Sequence, residues 1–224
     1  MPNLDRDGDV FVLDLGDGEN RLHPDWIAAV SAALDEVAAA PAPRALVTTA
    51  RGKIWSNGLD LDWLQAHPDE VDGYVDSVHA LLAQTLALPV PTVAAIQGHA
   101  FAGGAMFALA HDWRVMRADR GWICLPEAEI NIPFTPCMTA LIQAKLAPDV
   151  ATDAMLGALR FGGEDALARG IVTAAVGLDD VVPAAIQIAQ THAAKLPATL
   201  GTIKQRMYAA ALASFADLEA NRFG

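Results

Sequence analysis

Glu127 and Glu129 stand two residues apart in CLPEAEINIP (124–133), a stretch that is otherwise apolar. In an extended segment that spacing puts both carboxylates on one face. A carboxyl group in apolar surroundings has its pKa raised, which suits it to taking and returning a proton near neutrality. Elsewhere, QGHAFAGGAMFALAHD (97–112) sets Gly103 and Gly104 side by side where a strand gives way to a helix. Each glycine costs a helix roughly 1 kcal/mol relative to alanine, so two together ask for a reason. A helix N-terminus presents free N–H groups and the positive end of the helix dipole, and glycine lets a ligand reach them without a Cβ in the way. A similar arrangement occurs in IWSNGLDLDWL (54–64), where Gly58 precedes a helix capped by Asp60 and the Leu59 amide is left exposed.

Taken singly, each feature has a plainer use: close helix–strand packing for Gly103 and Gly104, a capped helix after Gly58, a surface acid in a loop for either glutamate. Together they are what enolate chemistry on a thioester requires. The two amides hold the carbonyl oxygen as it gains charge, and an acid moves the α-proton. Losing one such donor typically costs about 2.7–4 kcal/mol of transition-state stabilisation.

Other chemistries find less support. The G-x-G-x-x-G and Walker A patterns are absent, so a pyrophosphate cradle is poorly supported. His99 and His111 have no Ser, Cys or acidic partner at a recognisable spacing, so no triad is read. Cys124 and Cys137, the only cysteines, match no common zinc spacing and read as buried thiols in a reducing compartment. No metal set is found, and proton transfer of this type needs none. Arg21, Arg51 and Lys53 flank the relevant loops, either as cations for phosphates or as solvated surface charge.

The elements that must position these residues alternate. A strand over 9–16, a turn at DGEN and a helix from Pro24 to the prolines at 41 and 43 come first. A buried strand over 44–50, the loop 51–64, a helix over about 69–88 and a strand over 92–98 follow, and that strand leads directly into the Gly103 helix. DWRVMR and WICLPEAEINI read as two more short strands. From about 134 the pattern is mostly helical, broken by a strand over 171–177, and the final 45 residues read as two amphipathic helices. Strands alternating with helices imply parallel pairing with right-handed crossovers, an α/β architecture.

Composition narrows the partners. At 224 residues and 53% hydrophobic, one domain with a sizeable core is expected, with room for an appended element. A net charge of −12 argues against nucleic acid and against an anionic membrane surface, though not against a small phosphorylated ligand. The least polar window, 92–110, is interrupted by Gln97, His99 and glycines and falls short of the roughly 20 apolar residues a membrane span needs. MPNLDRDGDV lacks the marks of a signal peptide, so a cytoplasmic location is expected.

The chain resembles the crotonase superfamily of enoyl-CoA hydratases and isomerases. SNGLDL (56–61) resembles its A-G-x-D-[LI] element, GHAFAGGAMFALAHD (98–112) its N-G-x-A-x-G-G-G element, and LPEAEINIP (125–133) its P-E-x-x-x-G-x-x-P segment. The match runs in the same order over roughly residues 8 to 195. It implies a crotonase-like spiral of ββα units over 1–195, a C-terminal helical extension over 196–224, and assembly as a homotrimer or dimer of trimers. It implies an acyl-CoA thioester substrate, with coenzyme A as part of that substrate and no separate cofactor. Carried over by position, the oxyanion amides fall on Leu59 and Gly103 and the catalytic acid on Glu127, with Glu129 as second choice. Asn57, Gly58, Asp60, Gly104 and Met106 fall at substrate-binding positions, Asn57 being equally readable as a turn residue.

Met106 falls where hydratases carry the first of two catalytic glutamates. Activating water and delivering a proton is commonly shared between two carboxylates, and methionine can do neither. One base suffices to take a proton from C2 of a 3-enoyl thioester and return it at C4. WSNGLDLDW and PEAEINIP also resemble the single-glutamate, plant-type isomerases. A Δ3,Δ2-enoyl-CoA isomerase is therefore expected, ahead of a hydratase-like lyase, a thioester hydrolase or a non-catalytic acyl-CoA-binding relative.

Overall fold

Two strands open the chain, β1 (Asn3–Asp7) and β2 (Val10–Asp14), paired antiparallel through a turn at Gly8. β1 is polar and mostly exposed at the sheet edge, which is why hydrophobic patterning passes over it. The computed structural model describes residues 1–222. Helix α1 (Pro24–Ala39) starts on a proline, whose missing N–H costs nothing there, and buries Trp26, Ile27, Val30, Leu34 and Val37.

The chain then repeats one pattern three times. β3 (Ala45–Thr49) and β4 (Ile54–Ser56) lead to α2 (Leu61–Ala66) and α3 (Val71–Ala87). β5 (Thr92–Ile96) and β6 (His99–Phe101) lead to α4 (Gly103–Ala110). β7 (Trp113–Arg117) and β8 (Ile123–Cys124) lead to the single turn α5 (Glu127–Ile130) and to α6 (Pro136–Lys145). Each pass adds one strand to a large sheet and one to a small sheet before a helix returns across them. α7 (Pro148–Met155), α8 (Gly163–Ala168) and β9 (Ala174–Val176) complete the spiral. The large sheet has the order β1-β2-β3-β5-β7-β9, parallel except at β1, and the small one is β4-β6-β8, all parallel. This is the ββα spiral that the crotonase resemblance implies.

β3 and β5 are buried on both faces, as a parallel sheet covered on both sides must be. Leu46, Ala94 and Ile96 face the main core under α1, α3 and α4, whereas Val47, Val93 and Ala95 face α9 (Val181–His192). α9 lies against the sheet through Val181, Ala185 and Ala189. α10 (Pro197–Met207) and α11 (Ala209–Ala216) follow, so the final stretch holds three helices where the sequence pattern suggests two. α9 ends at His192 and α10 starts on Pro197, whose missing N–H costs nothing at a first helical position, while the extra break falls at Tyr208 between α10 and α11. Residues 223 and 224 of the expected C-terminal extension lie outside the described residues. Among the described residues, no helix is long and apolar enough to cross a membrane.

Candidate active site

Helix α4 is buried along its whole length, and its N-terminus follows a strained turn. Ala102, just before it, takes φ +50° and ψ −126°, a conformation that strains any residue with a Cβ by about 1–3 kcal/mol. Its N–H donates to Cys124 O at 3.0 Å, which ties the strained turn to β8. The turn leaves Gly103 N–H, the first of the helix, without an acceptor among the described residues.

The 57–60 loop reaches the same end by elimination. Asn57 N–H donates to Glu19 O at 3.0 Å, Gly58 N–H to Ser56 Oγ at 3.3 Å, and Asp60 N–H to the Tyr74 hydroxyl at 2.9 Å. Leu59 N–H alone in this loop has no acceptor among the described residues. The two loops touch: a Cβ placed on Gly103 would lie 3.7 Å from Leu59 N, and one placed on Gly58 would lie 2.7 Å from Gly103 N. Gly58 also has φ +78°, where side chains are disfavoured. Gly58→Ala is therefore expected to push the loops apart and, on the oxyanion reading that the sequence suggests for these amides, to lower kcat by about 10²–10³-fold. Steady-state kinetics beside a melting curve would check this, and an unchanged kcat would show that the loop pair is not needed.

Leu59 and Gly103 both line a cavity of about 710 Å³, together with Ala102, Met106 and Glu127. Glu127 is 6% exposed and its Oε2 has no hydrogen-bond partner. Burial pushes its carboxyl pKa up to about 7, against a weak downward pull from its own backbone N–H. A carboxyl group at that value takes and gives up a proton with little driving force either way at neutral pH.

The segment around it is not extended. Residues 127–130 form one helical turn, closed by Ile130 N–H to Pro126 O at 3.1 Å and ended by Asn131 in the left-handed region at φ +57°. On a turn, residues two apart point in different directions. Glu127 is turned into the cavity, while Glu129 is exposed and lines none of it.

The profile of the enoyl-CoA hydratase/isomerase family matches residues 7–221. The chain belongs to the enoyl-CoA hydratase/isomerase family. It is 38% identical to enoyl-CoA delta isomerase 3 of Arabidopsis thaliana, over 99% of this chain and 97% of that protein. It is 37% identical to the plant's enoyl-CoA delta isomerase 2, peroxisomal, over 87% and 86% of the two chains. Among solved structures, an enoyl-CoA isomerase of Mycobacterium tuberculosis superposes with a TM-score of 0.89 at 27% identity, covering 99% of this chain and 98% of that one.

Set against the family pattern, the structure brings Leu59, Gly103, Asn57, Met106 and Glu127 to one cavity. Met106 is buried one helical turn after Gly103. Gly58 and Gly104 stand behind the wall instead of on it; Gly104 packs against Ser56. Asp60 also departs from its expected place as a substrate contact. Its Oδ1 accepts Trp63 N–H at 3.3 Å to cap α2 and pairs with Arg21 at 3.4 Å.

Two of the expected phosphate cations are occupied as well. Arg21 is held by Glu19 and Asp62, each at 2.5 Å, and Arg51 by Asp14 at 2.8 Å. Lys53 lines the cavity. His111 is fully buried between Phe107 O at 2.9 Å and Thr48 Oγ1 at 2.8 Å, and burial pushes its pKa down to about 3. Cys124 and Cys137 are free, buried thiols, Cys124 in the cavity wall. Sequence reasoning passes over Tyr74, whose hydroxyl holds the peptide beside Leu59, and over Trp122 and Arg160, which also line the cavity.

Proposed function

We propose that this chain is a Δ3,Δ2-enoyl-CoA isomerase working through one glutamate. The supporting observation is that Glu127 is the one buried carboxylate among the described residues lining the cavity. Glu19 and Asp62, its other acids, are exposed and engaged with Arg21. With Met106 where the hydratase pattern has the first of its two glutamates, Glu127 is left as the one carboxylate of that pattern.

The Glu127 carboxylate takes a proton from C2 of a 3-enoyl thioester. The released electron pair moves onto the thioester oxygen, giving a dienolate held by the Leu59 and Gly103 N–H groups. These donors are built before the charge develops, so they need little reorganisation when it does. Collapse of the dienolate draws the same proton from Glu127 to C4, and the double bond lies between C2 and C3. Glu127 ends as the carboxylate it began as.

Incubation with a 3-enoyl-CoA tests this by the absorbance of the conjugated product. Appearance of that absorbance without a gain of water by mass supports isomerisation. Hydration of a 2-enoyl-CoA with no double-bond shift would replace it with the hydratase reaction. Assembly as a homotrimer or dimer of trimers in the cytoplasm belongs to the same proposal, and light scattering would read the assembly.

A further inference from the structure

The Leu59 amide belongs to a backbone clamped from two sides. Leu22 N–H donates to Gly58 O at 2.8 Å. In a planar trans peptide the C=O and the N–H that follows it point in opposite directions, so this bond turns the Leu59 N–H away from Leu22. On the other side, Asp60 N–H donates to the Tyr74 hydroxyl at 2.9 Å. The two bonds fix the peptide planes before and after the Leu59 Cα, and with them the direction of its N–H. The first clamp is backbone to backbone and needs no particular side chain. The second depends on one hydroxyl.

Tyr74 sits one turn into α3 among apolar positions, 3% exposed, and lines no part of the cavity. Phenylalanine would fill such a place equally well, so the hydroxyl asks for a reason. A buried tyrosine hydroxyl needs a polar partner, and here that partner is the peptide beside Leu59. Burial pushes the phenol pKa up to about 12, so the group stays neutral near pH 7. The ring has a second use. It stacks on Trp63 at 5.2 Å, and Trp63 stacks on His67 at 4.3 Å. Helix α2 carries Leu61 and Asp62 into the cavity wall yet buries none of its own residues. The Tyr74 ring therefore supports α2, while its hydroxyl holds the peptide by which the chain enters that helix.

We propose that Tyr74 is a positioning residue whose hydroxyl holds the Leu59–Asp60 peptide so that the Leu59 N–H faces the thioester oxygen as it gains charge. This rests on the isomerase reading of the cavity. Tyr74 acts through Leu59 and takes no part in the proton transfer by Glu127.

Tyr74→Phe keeps the ring and its stack and removes only the hydroxyl. Its kcat on a 3-enoyl-CoA should fall roughly 10–10²-fold, as for a reacting group misplaced by about an ångström, with KM little changed. In amide NMR spectra the Leu59 resonance should move, and the Asp60 amide should exchange with solvent on the order of tenfold faster. The Met106 amide, bonded to Ala102 O at 3.1 Å in α4, should keep the parent's rate. A tyrosine that merely packs would move the melting temperature and none of these. The amide measurements need no substrate, which separates the two readings. Should the parent fail to isomerise a 3-enoyl-CoA, the isomerase reading falls, while a moved Leu59 resonance with faster Asp60 exchange still upholds the positioning of that amide. An unmoved Leu59 resonance, a kcat equal to that of an active parent, or faster exchange spread through the whole of α3 would each overturn the proposal.

Discussion

The Glu127→Gln variant is expected to lose isomerisation of a 3-enoyl-CoA by at least 10²–10⁴-fold, the usual worth of a positioned general base. Glutamine has the same shape but accepts no proton near neutral pH. The amides of Leu59 and Gly103 and the cavity walls are untouched, so KM or coenzyme A affinity should change little. The pH profile of the parent follows from the same burial. Only the ionised carboxylate can take the C2 proton, so kcat/KM should rise with pH through about 7, where burial places Glu127. A profile flat from pH 5 to 8 would remove Glu127 from the role.

Stability should move the opposite way. The folded-state pKa of Glu127 lies above its ordinary 4.5, so the folded protein binds the extra proton between about 4.5 and about 7. Stability is then highest, with respect to this group, below 4.5 and falls as pH rises through 7. A displacement of that size corresponds to on the order of 3 kcal/mol. Glu127→Gln removes the buried charge and should melt higher than the parent above pH 7, the difference closing near pH 4.5. An inactive variant that is also more stable marks a group kept for chemistry, at the expense of the fold.

How much of this was legible depends on how locally each feature is written. The Leu59 and Gly103 amides left a trace because glycines beside them are costly in a helix and tolerated for access. Glu127 was legible from its apolar neighbours. Its backbone was not, because four residues such as EAEI satisfy a strand alternation and a helical turn equally. That ambiguity left Glu129 as a rival until the turn at Asn131 separated the two directions. β6 and β8, at three and two residues, are too short to show a period of two: β8 was legible only as part of a longer strand that the structure does not have, and β6 not at all, so the small sheet was not legible as a separate layer although it lines the cavity. Charge pairing was the least legible. Arg21 meets Asp60 and Asp62 across 39 and 41 positions, and Arg160 reaches Trp122 from another turn of the spiral. No local pattern separates a spent cation from a free one.

Asp112→Asn is expected to destabilise the protein by about 3–5 kcal/mol, as breaking one side of a buried ion pair does, or roughly 6–20 °C in Tm for a chain of this size. Asp112 closes the far end of the helix whose N-terminus offers Gly103. Its carboxylate meets Lys204 Nζ at 2.7 Å with side-chain exposures of 13% and 4%, and accepts Thr92 N–H at 2.9 Å. Around it the cations outnumber it. Arg114 donates to His111 O at 2.9 Å and to Ile171 O at 2.6 Å, and Lys145 donates to His111 O at 2.9 Å. Cations at a helix C-terminus are favourable, yet burial still pushes Lys145 down to about 7, with Arg114 adding to the effect. Between that value and the ordinary 10.5 the unfolded chain binds the extra proton, so stability from this group should rise with pH across the window. Asparagine keeps the size and the acceptor for Thr92 but leaves Lys204 buried against two other basic groups. Pairing Asp112→Leu with Lys204→Met should restore much of the loss, because an apolar pair needs no partner in the interior. Activity at 25 °C should survive in whatever fraction stays folded, since α4 still begins at Gly103. A melting temperature within a degree or two of the parent for Asp112→Asn would mean that Arg114 and Lys145 do not depend on this carboxylate, and that the helix carrying the Gly103 amide is anchored by its packing alone.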